Sequence, residues 1–173
     1  MADALNLTEL VQAFEGHHYS LLERIILSHD GTVQALLSII WDRPVQVRVV
    51  DQVERRLDEV GVTVRLVDLE AGDLVVARAR SHIPAARNSS EVMDRVRGRS
   101  LGLGQIAAAL KVNPRRTVLD HGANDETFWR RYEMSVPHHS GSELYFEIQE
   151  MFPRALYHGL VEAWRWPRTE VRV

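Results

Sequence analysis

Residues Ser142 to Phe152, SELYFEIQEMF, alternate along the chain. Leu144, Phe146, Ile148 and Phe152 fall on one side of an extended segment, and Glu150 falls in line with them. The same period of two runs through PVQVRVVDQVERR, where Val45, Val47 and Val49 alternate with Gln46 and Arg48. It returns in VTVRLVDLEAGDLVVARARSHIP, which Ala71-Gly72-Asp73 divides into the two arms of a hairpin. RRTVLDHG and DETFWRRYEMSV add two more strands, with HHSGSE as the turn before the last.

Elsewhere the spacing is helical. Leu5, Leu7, Leu10, Val11 and Phe14 predict an N-terminal helix, and SLLERIILS predicts a second. After the break at Asp30-Gly31, Thr32 stands as a cap. Val33, Leu36, Leu37 and Ile40 then form an apolar stripe. NSSEVMDRVRGRS and LGLGQIAAALKV predict two short helices, and ALYHGLVEAWRWP a C-terminal segment packed on the domain. The order is helices, three strands, two helices, three strands. Short turns between consecutive strands imply antiparallel pairing. The expected class is α+β: one six-stranded antiparallel sheet with helices on one face.

Composition narrows this picture. A chain of 173 residues with 45% apolar and 26% charged residues suits one soluble domain, residues 1–173. The net charge of −3, without a basic block, argues against a nucleic-acid partner. No apolar run is long enough for a membrane span, and the acidic N-terminus is unlike a secretory signal. The chain has no Cys, which excludes disulfides and thiolate chemistry and permits a cytoplasmic location. All 21 basic residues but Lys111 are Arg, so a ligand carboxylate would meet a guanidinium, which offers two parallel donors. His17-His18 and His138-His139 lack a carboxylate at metal-ligand spacing, and no metal site is expected.

Four phrases in order carry a family resemblance. They are ERIILSHDGTVQALL, the hairpin with Arg65 on one arm and VVARARSHIP on the other, SLGLGQIAAAL, and RRYEMSV followed by YFEIQEMF. Over about residues 20–158 the chain resembles the chorismate pyruvate-lyase family, whose neighbours are the UTRA ligand-binding domains of some bacterial regulators. The resemblance implies a buried cavity between sheet and helices. It also implies cofactor-free conversion of chorismate to 4-hydroxybenzoate and pyruvate, a biosynthetic reaction. It places Glu150 and Arg65 as catalytic residues, and Ala79, Leu103 and Gly104 around the substrate; read from the residues themselves, Thr32 at a helix start offers a hydroxyl or the positive end of the helix dipole, and Arg80 on the hairpin's return strand could serve as a second cation. Glu150, desolvated on an apolar face, would keep a proton available. Arg65 would bind a substrate carboxylate and would pair with Glu150 in the empty cavity. One branch of the family has Gly at the position of Ala79 and Arg at that of Gln105.

The residues alone leave alternatives open. Glu150 also reads as a structural ion pair or a solvated strand end. Arg65 also reads as a surface strand arginine, and Arg80 as part of a solvated face. Beside the lyase stand an enzyme of the same fold acting on another small molecule and a non-catalytic small-molecule-binding module. The expected partner is a small molecule, with the chain a monomer or homodimer.

Overall fold

The computed structural model describes residues 14, 18–57, 60–136 and 143–163. The helix expected over Leu5–Phe14, apart from Phe14, and the two His pairs, apart from His18, lie outside these residues, as do Trp164 and Trp166. Among the described residues the elements are α1 (Leu21–Ser28), α2 (Val33–Ile40), β1 (Val45–Leu57), β2 (Val60–Ala71), β3 (Leu74–Pro84), a 3-10 turn (Ala85–Arg87), α3 (Ser90–Arg97), α4 (Leu103–Ala109), β4 (Arg115–Ala123), β5 (Thr127–Val136), β6 (Leu144–Pro153) and α5 (Arg154–Ala163). No helix among them is long and apolar enough to cross a membrane.

The strands form one six-stranded sheet in the order β1-β2-β3-β6-β5-β4, and every pairing is antiparallel. This is the α+β sheet that the period-two segments predict. The β2–β3 hairpin turns where expected, with Gly72 at φ 65°, a conformation glycine enters without steric cost. Since β3 pairs with β6, the N-terminal three strands and the C-terminal three meet edge to edge.

Register decides which side chains share a face. Val67, Ala79, Glu150 and Arg130 lie in one cross-strand row. Gln52, Arg65, Ser81, Ile148 and Tyr132 form the next. Both rows belong to the face whose apolar members, including Leu69, Ile83, Phe128, Phe146 and Phe152, join Ile26, Leu37, Val92 and Ile106 of the helices in one buried core. The opposite face carries charge: Arg48 and Arg78 both bind Asp68, at 2.9 and 2.7 Å, and Arg131 meets Glu147.

Local signals set the helix starts. Ser20 and Glu23 form a capping box, with the Ser20 N–H donating to Glu23 Oε2 at 2.7 Å. Ser89 accepts from the Val92 N–H at the start of α3. Thr32 occupies the cap position of α2 but makes no side-chain cap bond.

Candidate functional site

A cavity of about 70 Å³ lies between the sheet and two helix starts. Thr32, Val33 and Gln34 reach it from α2, and Gly102 to Gln105 from the start of α4. Val47, Val67, Leu69, Ala79, Ser81, Tyr132, Met134 and Ile148 form its floor, and Arg116 of the edge strand β4 completes it. The wall is mainly apolar. Among the described residues it contains no carboxylate, and Arg116 is its one charged member. The two helices approach closely here: a Cβ added at Gly104 would stand 3.3 Å from Thr32 Cγ2.

Four of the seven expected site residues, Thr32, Ala79, Leu103 and Gly104, therefore come together from three separate segments. Arg65 and Glu150 are not among the lining residues. Each stands beside one in the sheet: Arg65 pairs across strands with Ser81, and Glu150 with Ala79. Arg80 does not belong to the site. It is exposed, and strand alternation sends its side chain to the face opposite Ala79 and Ser81. Gln105, the second departure from the lyase branch, lies at the rim, where its Oε1 accepts from the Gly102 N–H at 2.7 Å.

The expected Arg65–Glu150 pair does not form. Glu150, 3% exposed, accepts from Arg130 Nε at 2.8 Å on one oxygen and from the Tyr132 hydroxyl at 2.9 Å on the other. Arg130 is the closer cation because it lies directly across from Glu150 in the β5–β6 register, whereas β3 separates β6 from the strand that carries Arg65. Arg130 also donates through Nη1 to the carbonyls of Ile26, at 2.9 Å, and His29, which ties the end of α1 to the sheet. Burial works against the Arg130 charge, but the Glu150 carboxylate outweighs it and the pKa is raised. Glu150 is thus an ion-paired carboxylate, not the isolated acid expected of an apolar face. Tyr132 is pushed well above the usual phenol range, first by burial and then by Glu150.

Arg65 is neither a surface residue nor an ion-pair partner. It is 1% exposed. Its Nη2 donates to the Leu101 carbonyl at 2.6 Å, while Nε and Nη1 are buried without partners. Burial, with a smaller contribution from Arg99, lowers its pKa to about 10, so it remains charged at neutral pH. A buried cation without a counter-ion is costly. The facing Gln52 also leaves Oε1 buried and unpaired.

Arg130, Tyr132 and Arg116 are the residues that the sequence reading did not single out. The first two had a visible signal. Phe128, Arg130, Tyr132 and Met134 alternate on β5, so one cation stands in an apolar line just as Glu150 does on the next strand. Arg116 had none, because the edge strand β4 is largely exposed and shows no clean alternation. Among the described residues, no group of His, Asp or Glu side chains is arranged to hold a metal ion. No protein-family profile matches the chain, and no curated protein shows significant similarity to it.

Proposed function

We propose that the cavity binds a small anionic ring compound and that the protein is a chorismate pyruvate-lyase, releasing 4-hydroxybenzoate and pyruvate. One observation carries the ligand class: Arg65 is a fully buried guanidinium with no counter-ion among the described residues, beside a cavity whose described wall holds no acid. A ligand carboxylate would supply the missing charge and two acceptors. Arg116 and the positive end of α2 favour the same sign. The lyase chemistry rests on the resemblance, supported by the convergence of Thr32, Ala79, Leu103 and Gly104 on one hollow.

In that reaction the ether C–O bond breaks and the ring loses the hydrogen beside its retained hydroxyl. The ring becomes aromatic, and the enolpyruvyl fragment takes up a proton to leave as pyruvate. The product is strongly favoured, so the protein's part is to hold the reactive conformer and balance charge on the departing oxygen. The cavity is smaller than the roughly 150 Å³ that admits benzene in an engineered protein core. Binding of a ring therefore requires the cavity to widen.

One feature favours the binding module instead: both Glu150 oxygens are already engaged, which leaves no free carboxylate for proton transfer. Incubation of the purified protein with chorismate separates the readings. Pyruvate release supports the lyase. Binding of 4-hydroxybenzoate without pyruvate supports the module, and neither result supports another substrate. Arg65→Met should lower affinity for 4-hydroxybenzoate at least tenfold while leaving urea stability equal or higher, since it removes a buried unpaired charge. Unchanged affinity would remove Arg65 from the site.

A further inference from the structure

We infer that Tyr132 selects the ligand by accepting a hydrogen bond from its ring hydroxyl, with Glu150 acting from behind. The inference rests on the proposed ligand cavity and does not require turnover.

Tyr132 lines the cavity and Glu150 does not. The tyrosine hydroxyl has one hydrogen, and the bond to Glu150 Oε1 uses it. That direction is fixed. Glu150 is paired with Arg130, and a carboxylate only accepts. Arg130 is itself held by the carbonyls at the end of α1, so the whole array is buried and anchored on three elements. What remains on Tyr132 Oη is acceptor capacity, and no donor to it is present among the described residues.

A ligand hydroxyl can supply that donor. A fluorine, an ether oxygen or a bare C–H cannot. The polarity is thus the reverse of a site that donates to its ligand, and it predicts preference for a hydroxylated ring over isosteres that lack the O–H. A buried group left unpaired by the wrong ligand is the usual origin of such discrimination. Thr32 also brings a hydroxyl to the cavity, but it is free to serve as donor or acceptor and so imposes no such sign.

The test is calorimetric titration of the whole protein with 4-hydroxybenzoate, benzoate and 4-fluorobenzoate. The unmodified protein should bind 4-hydroxybenzoate about tenfold or more tightly than either analogue. In Tyr132→Phe, which keeps the ring, that preference should collapse to within about twofold through loss of affinity for the hydroxylated ligand alone. Equal binding of all three by the unmodified protein overturns the inference without any variant. So does a preference that survives in Tyr132→Phe, and so does failure of all three to bind. Absence of pyruvate from chorismate, alongside the tenfold preference, would defeat the lyase reading and leave Tyr132's role standing.

Discussion

Arg130→Met should cost about 3–5 kcal/mol of unfolding free energy, seen as a large fall in urea midpoint. The substitution keeps much of the side-chain volume and removes one charge. It leaves Glu150, 3% exposed, with only the Tyr132 hydroxyl for compensation. It also strips the donor from the carbonyls at the end of α1. Removing both partners separates these contributions. Arg130→Met with Glu150→Leu should recover part of the loss, because an apolar pair of similar volume avoids desolvating two charges. Recovery should be incomplete, since the Ile26 and His29 carbonyls still lack the bonds from Arg130, although Ile26 keeps the His29 N–H. A single variant within about 1 kcal/mol of the parent would show that the pair contributes little.

The second large effect belongs to Glu23. This carboxylate is fully buried under two donors, Arg154 Nε at 2.6 Å and the Ser20 N–H at 2.7 Å, with the His158 imidazole 3.6 Å away. Arg154 carries the same tie onward to the His18 and Asn124 carbonyls. One ion pair thereby joins α1, α5, the β4–β5 turn and the chain before Ser20. Glu23→Gln should cost about 2–3 kcal/mol near pH 7, toward the lower side of values for broken buried pairs because Arg154 keeps partial contact with solvent.

The loss should depend on pH. Burial alone would raise the Glu23 pKa, but the hydrogen bonds from Arg154 and Ser20, with the Arg154 charge, reverse that and lower it below 4.5. A carboxylate held lower in the folded than in the unfolded chain contributes fully above the unfolded value. That contribution disappears as pH falls through the folded one. Urea midpoints for parent and variant should therefore differ most above the ordinary carboxylate range and converge as the pH falls through the lowered Glu23 pKa. A constant gap across that range would contradict the assignment.

The architecture was legible where burial is one-sided. β5 and β6 each bury alternate residues, and the period of two marks them plainly. β2 buries a wider set, including Thr63 and Asp68 from opposite faces, so its polar residues looked mixed and Arg65 passed for a possible surface group. The edge strand β4 was readable from its position in the order of elements more than from its pattern. The site was legible only in part. Thr32, Ala79, Leu103 and Gly104 reach the cavity as expected, while the partner of Glu150 did not follow from sequence. Arg65 and Arg130 share its face; only the strand order β2-β3-β6-β5, a long-range property, places Arg130 next to it and Arg65 two strands away. Arg80 was misplaced for a simpler reason, since a single step along a strand reverses the side.

The near-contact of Gly104 with Thr32 has a consequence for how the hollow could be reshaped. Both residues belong to its wall, and they meet through a bare backbone on one side and a methyl on the other. A bulkier group at 104 would act as a wedge, pressing the start of α4 away from Thr32. The separation of the two helix starts is in this way set by one missing side chain.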